Sequence, residues 1–73
     1  MNNIGYNIRR IRGLRGLKQA YMAHALNISV NSYGKIERNE VNIKISRLED
    51  IAGVLRTTVQ HILLFEEQDF LRK

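Results

Sequence analysis

The sequence predicts an all-α domain of five short helices, and three observations support this fold class. Apolar residues recur at the 3.6-residue period of an α-helix along most of the chain. β-branched residues form no long alternating run of the kind typical of a strand. Proline is absent, whereas glycine or asparagine stands where each of the first three helices should end. With 73 residues, the chain is expected to form one domain over 1–73.

The first two helices are predicted over about residues 4–14 and 18–26. The apolar stripe of the first helix consists of Ile4, Ile8, Ile11 and Leu14. The inward face of the second helix consists of Met22, Ala23 and Leu26. The first three helices are followed by residues that tolerate the left-handed backbone of a helix end, namely Gly16, Asn27 and Asn39.

The next two helices are predicted over about residues 29–38 and 45–55. Ser29 is placed to cap the third helix at its first turn. Ser46 and Glu49 have the spacing of a capping box at the start of the fourth helix. The inward residues of these two helices are Tyr33, Ile36, Leu48, Ile51, Ala52 and Leu55.

A fifth helix is predicted to begin after Thr58, a suitable N-cap, and to continue as far as Phe70. Its inward stripe consists of Val59, Ile62 and Leu63. The remaining apolar residues indicate a partner surface, because a small domain rarely exposes leucine and phenylalanine side by side. We therefore predict a dimerisation helix over 58–71, with an interface of His61, Leu64, Phe65 and Gln68. The alternative is a bent tail that folds back onto the core and buries Phe65, Phe70 and Leu71.

The charge of the chain is positive and unevenly distributed. The net charge is +5 and the isoelectric point is about 10.1. Residues 1–47 contain nine basic and two acidic residues, a balance of +7, whereas residues 48–73 contain three basic and five acidic residues, a balance of −2. A basic N-terminal part favours a polyanionic partner, although a solvated charged surface without a partner has the same composition.

Several function classes find no support in the sequence. There is no cysteine, and the two histidines, His24 and His61, have no acidic partner at ligand spacing, so no metal site is expected. No catalytic motif or glycine-rich phosphate loop occurs, which argues against an enzyme and against a cofactor. No apolar run is long enough for a membrane span, and the N-terminus does not resemble a signal peptide. We expect a soluble cytoplasmic protein, associated with a bacterial or phage nucleoid, that takes no small-molecule ligand.

The spacing within residues 19–38 predicts a helix-turn-helix. Ala23 is small and stands where two helices must cross closely, and Asn27 makes the turn four residues later. The third helix is then left with one exposed face. That face offers an amide, a methyl-bearing side chain, a gap and two cations to a DNA major groove, from Val30, Asn31, Gly34, Lys35 and Arg38.

The helix-turn-helix residues belong to a longer stretch that resembles a known family. The segments IRRIRGLRGLKQAYMAHALNISVNSYGKIERN and ISRLEDIAGVL, between Ile8 and Leu63, resemble the phage repressor and Cro-like (XRE-type) helix-turn-helix family. Residues 16–19 match that family's lead into helix two, and residues 36–38 match its end of helix three. The resemblance implies a compact five-helix, lambda-repressor-like DNA-binding domain whose helix-turn-helix consists of helices two and three.

The resemblance also implies roles for individual residues. Base reading falls to Gln19, Ser29, Val30, Asn31 and Lys35. Phosphate contacts fall to Arg10, Lys18, Ser32, Arg38, Asn42 and Lys44. Arg12 and Glu37 match a pair that joins helix one to helix three, which makes their expected role structural. Three residues depart from the family pattern, namely Asn27, Tyr33 and Arg56.

The sequence thus predicts a homodimeric transcription regulator on a palindromic operator, of the repressor or restriction–modification controller type. Its half-sites would lie about one DNA turn, ~34 Å, apart. A second hypothesis is an antitoxin-like interaction module that binds a toxin through its acidic C-terminal part and regulates its own operon.

Overall fold

The structure, a computed structural model, describes residues 3–65. Within that range the backbone forms five α-helices and no strand. They are α1 (Ile4–Leu14), α2 (Gln19–Leu26), α3 (Val30–Glu37), α4 (Ile45–Leu55) and α5 (Val59–Leu64). The all-α prediction is confirmed, and the first four helices begin and end within one residue of their predicted bounds. No helix in the described range has the length and apolarity needed to cross a membrane.

Left-handed residues follow four of these helices, beginning with Gly16 (φ 73°) after α1, as the sequence predicts. Asn27 (φ 60°) follows α2, Asn39 (φ 59°) follows the last turn of α3, and Arg56 (φ 56°) follows α4. In each case the chain turns so that backbone N–H groups reach back to the last carbonyls of the helix, as Ile28 N does to Ala23 O at 3.0 Å. Arg56, which departs from the family pattern, therefore makes the same kind of turn as Asn27.

Hydroxyl side chains cap the start of two helices, as the sequence predicts. Ser29 Oγ accepts a hydrogen bond from Ser32 N at 3.0 Å at the start of α3. Thr58 Oγ1 accepts one from His61 N at 3.0 Å at the start of α5. Both caps satisfy a backbone donor that has no partner within its own helix.

The predicted capping box of α4 is wrong. The helix begins two residues earlier than a Ser46 cap requires, because Leu48 N already donates to Lys44 O at 2.9 Å. Lys44 is consequently the N-cap residue and provides no side-chain cap. Ser46 and Glu49 lie within the helix, and both are exposed.

All five helices contribute to one core. Its most deeply buried side chains are Ile8, Met22, Tyr33, Leu48, Ile51, Leu55 and Ile62. In this arrangement α2 packs on α3, α1 contacts α3 and α5, and α4 contacts α2 and α5. The stripe predicted for α1 is shorter than expected, because Leu14, in the last turn, is an exposed residue.

The C-terminal helix differs from its prediction in extent and facing. It ends at Leu64, and Phe65 has an extended backbone (φ −57°, ψ 132°), so a helix continuous to Phe70 is wrong. Leu63, predicted inward, is exposed, whereas Ile62 is buried and Val59 packs partly against the core. Phe65 packs partly against the core once the chain leaves the helix, as the alternative of a bent tail predicts and the dimer interface does not. Phe70 and Leu71, the other residues of that alternative, lie outside the described residues.

Two contacts position α1 against the rest of the molecule. A Cβ atom at Gly5 would lie 2.5 Å from Ile36 O and 2.6 Å from Glu37 O, so only glycine fits where α1 meets the end of α3. The Gly5 amide also donates to Asn39 Oδ1 at 2.9 Å. At the other side of α1, the buried Asn7 Nδ2 donates to Ile62 O at 2.8 Å.

Candidate nucleic-acid interface

Helices α2 and α3 form the helix-turn-helix that the spacing predicts. The side chain of Ala23, 1% exposed, lies at the crossing of the two helices, where a larger residue would separate them. Tyr33 and Ile36 face the core from α3. The opposite face of α3 is thereby left open to solvent.

The open face begins at the N-terminal turn of α3. Val30 is 48% exposed and Asn31 is also exposed. Within residues 3–65 the Asn31 amide has no hydrogen-bond partner, whereas the Ser29 hydroxyl is engaged by the helix cap and by the Ser32 hydroxyl at 3.0 Å. Lys35 is exposed one turn further along. The exposed side chains of this face that make no hydrogen bond or ion pair within residues 3–65 therefore include Val30, Asn31 and Lys35.

A buried ionic network lies behind the open face. Arg12 Nε donates to Glu37 Oε2 at 2.6 Å, and Arg12 Nη2 donates to Glu37 Oε1 at 3.2 Å. Arg12 Nη1 donates to Leu17 O at 2.8 Å, which also fixes the loop before α2. Gln19 Nε2 completes the network through a 2.9 Å hydrogen bond to Glu37 Oε1.

The network determines the ionisation of its members. Burial alone would raise the pKa of the Glu37 carboxyl, but the hydrogen bonds from Arg12 and Gln19 outweigh it and lower that pKa below its ordinary value. The hydrogen bond to Glu37 likewise raises the pKa of Arg12. Burial raises the pKa of the Tyr33 phenol. At neutral pH both groups are therefore ionised, and the carboxylate of Glu37 neutralises the charge of Arg12.

Gly34 does not provide the gap that the sequence indicates. It is a buried residue, because the side chain of Arg38 lies over it, and a Cβ atom there would be 2.9 Å from Arg38 Nη1. Arg38 also forms an exposed ion pair, with 2.9 Å between Nε and Glu40 Oε2. Gly34 thus leaves room for the guanidinium of Arg38, the residue that follows α3.

Three lysines lie within or next to the helix-turn-helix segment and are open to solvent. Lys18, Lys35 and Lys44 are exposed, and within residues 3–65 their ammonium groups make no hydrogen bond or ion pair. Asn42 is exposed in the loop between α3 and α4, and Arg10 is half-buried on α1. Compact ammonium groups that the protein leaves unpaired are suited to neutralise backbone phosphates.

The comparison with protein families agrees with this geometry. A helix-turn-helix family model matches residues 8–62, which is most of the chain. The chain belongs to the XRE-type helix-turn-helix family. The family is a DNA-binding regulatory family and not a family of enzymes, so the protein is a DNA-binding transcription regulator of the XRE type. No curated protein matches the chain in sequence.

Two arginines of this XRE-type regulator have structural partners that sequence reasoning missed. Arg15 donates from Nε to Leu55 O at 2.9 Å and from Nη2 to Arg56 O at 3.1 Å. Arg47 Nη1 donates to Leu26 O at 3.3 Å. Both guanidinium groups satisfy carbonyls at a helix C-terminus, where cations are favoured.

The predicted dimer residues of the XRE-type regulator are only partly brought together. His61 is exposed, and Leu64 is 75% exposed beside the exposed Leu63. Phe65 is half-buried, with its ring centre 5.7 Å from that of His61. Gln68 lies outside the described residues. Among residues 3–65 the apolar surface at this end of the molecule is therefore the leucine pair and not the expected pairing of Leu64 with Phe65.

Proposed function

We propose that this regulator binds a palindromic operator as a homodimer and that each copy inserts α3 into a major groove. The observation that supports it best is the contrast within α3: its inner side chains are fixed, whereas Val30, Asn31 and Lys35 are exposed and unpartnered within residues 3–65. A helix prepared in this way has a rigid backbone and free base-reading groups, which direct readout requires.

Base reading in this proposal is concentrated at the N-terminal turn of α3. The Asn31 amide has the donor and acceptor that pair with the N6 and N7 edge of adenine. The Val30 methyl groups suit contact with a thymine methyl, and Lys35 suits a guanine edge or a phosphate. Gln19, held by Glu37, and Ser29, held by the helix cap, would buttress this end of the helix.

Phosphate contacts in this proposal surround the base-reading turn. Lys18 precedes α2 and Lys44 precedes α4, so the two lysines lie on either side of the helix-turn-helix in the sequence. Further candidates are Arg10, Ser32, Arg38 and Asn42. Contacts of this kind fix the orientation of the protein on DNA and do not distinguish sequences.

The exposed leucines at the end of α5 favour pairing of two copies. Leu63 and Leu64 are exposed side by side, and burying both in a twofold interface would remove apolar surface from water. Two copies paired in this way would read half-sites separated by about one DNA turn, ~34 Å. The regulator would then act as a repressor or controller on its own or a neighbouring promoter.

Selection of preferred sites from random duplex DNA tests the proposal directly. We expect a palindromic site to be enriched by the full-length protein. On that site Asn31→Ala should relax the preference at one base pair and cost about 1–3 kcal/mol of binding free energy. Lys44→Ala should instead weaken binding to selected and random duplexes by the same factor. Equal losses on both duplexes for Asn31→Ala would contradict base reading by that residue.

A further inference from the structure

A cleft lies between α1, the start of α2 and the end of α3, and basic side chains surround it. The cations that line it are Arg9, Arg12, Lys18 and Arg38. The carboxylate of Glu37 also lines the cleft, but the buried ion pair with Arg12 already engages it. The charge that remains at the cleft is positive, which suits a phosphate group.

One of these cations is held by an acidic neighbour. Arg38 Nε lies 2.9 Å from Glu40 Oε2, and Nη2 lies 3.4 Å from Glu40 Oε1. The guanidinium extends back over Gly34, since a side chain at a helix end leans towards the helix N-terminus. In this position Glu40 neutralises the charge that Arg38 brings to the cleft.

The ion pair has little to do with stability. The side chains of Arg38 and Glu40 are 54% and 50% exposed, and pairs so accessible to water contribute little to folding. A carboxylate beside the cationic cleft would also repel DNA. Glu40 therefore acts against DNA binding, and its effect in the free protein is to hold the Arg38 guanidinium in place.

We propose that Glu40 holds the Arg38 guanidinium over Gly34 in the free protein and yields it to a DNA backbone phosphate that enters the cleft. Arg9 and Lys18 would donate to the same phosphate strand from the other sides of the cleft. The inference rests on the proposed function, because it requires a duplex against α3. Glu40 is then a positioning residue whose presence lowers affinity for every duplex equally.

A double-mutant cycle separates this exchange from simple charge repulsion. The probe is a random-sequence duplex of about 20 base pairs, a length of about two helical turns, titrated with the full chain at constant salt. Glu40→Gln should raise affinity about two- to fivefold, the range expected when an exposed ion pair no longer has to be broken. In an Arg38→Gln background the same substitution should do no more than Glu49→Gln, which removes an exposed carboxylate from α4. An equal gain in both backgrounds would mean long-range repulsion alone and would overturn the proposal.

The salt dependence of the same titrations tests the cleft itself. Arg9→Gln and Lys18→Gln should each lower the slope of log affinity against log salt by about one, because each variant loses about one phosphate contact. Arg56→Gln removes an exposed arginine outside the cleft and should leave the slope unchanged. Unchanged slopes for both cleft variants, with thermal unfolding at the wild-type temperature, would overturn the phosphate site. Failure of the proposed function appears separately, as selection without a preferred sequence while this binding persists.

Discussion

The two sides of α3 differ in how completely their polar groups are partnered. On the inner side, the Glu37 carboxylate is bonded to Arg12 and Gln19, and the last carbonyls of the helix lie against Gly5. On the outer side, Asn31 and Lys35 are exposed and make no hydrogen bond or ion pair within residues 3–65. A helix of eight residues thus divides fold stability and DNA recognition between opposite faces. Substitutions on one face should leave the property of the other face intact.

The largest expected effect is on the inner face, at Gly5. Gly5→Ala would place a methyl group against two backbone carbonyls that cannot move without separating α1 from α3. We expect a loss of about 3 kcal/mol in the free energy of unfolding, measured by chemical denaturation. Gly13→Ala is the matched control in the same helix, where a Cβ atom meets nothing within 4 Å. That variant should gain about 0.5–1 kcal/mol from helix propensity.

The next effect concerns the ionic network. Glu37→Gln would leave the guanidinium of Arg12 without its counter-charge in a largely buried position, and we expect a loss of about 2 kcal/mol in the free energy of unfolding. Glu40→Gln, which removes an exposed carboxylate from the same region, should not change stability measurably. Asn31→Ala should also leave stability unchanged while altering base preference. A stability loss for Asn31→Ala comparable to that of Glu37→Gln would remove the proposed division between the faces.

A smaller effect should appear in the pH dependence of stability. The pKa of Glu37 is lower in the folded protein than its ordinary value of 4.5, so its contribution to stability is fully present above pH 4.5. It should be lost as the pH falls below 4.5 through the lower pKa of the folded state. Denaturation series between pH 7 and 3 should therefore show a shallower acid loss for Glu37→Gln than for the wild type. Identical acid slopes would show that the network does not depend on ionised Glu37.

The helices could be predicted from sequence because their determinants are local. Apolar period and end residues, such as Ser29 before α3 and Asn27 after α2, act within one or two turns of the helix that they define. The prediction of a cap at Ser46 was wrong because a serine within the first turn can have the same spacing to a glutamate as a true capping serine. The prediction that Leu63 is buried was wrong because its exposure depends on how α5 packs against the other helices, which the apolar period of α5 alone does not specify.

The site could be predicted in part, for the same physical reason. The exposed turn at Val30 and Asn31 follows from the period of one helix. The bonds of Arg15 to the end of α4 could not be found, since their carbonyl partners lie 40 and 41 residues away and have no sequence signature. Gly34 illustrates the same limit, because the side chain that covers it belongs to a flexible arginine with several accessible rotamers.

The hydrogen bond from Asn7 to the Ile62 carbonyl joins the first helix to the last one described. Because α1 is also joined to α3 through Gly5 and Glu37, the end of α5 cannot rotate freely with respect to α3. If two copies pair through α5, the distance between their two α3 helices is then fixed. Inserting one base pair between half-sites rotates one of them by about 35° around the DNA axis. A dimer without a hinge between α5 and α3 cannot follow that rotation. The number of base pairs between the half-sites should therefore be as strictly defined as the bases that α3 reads.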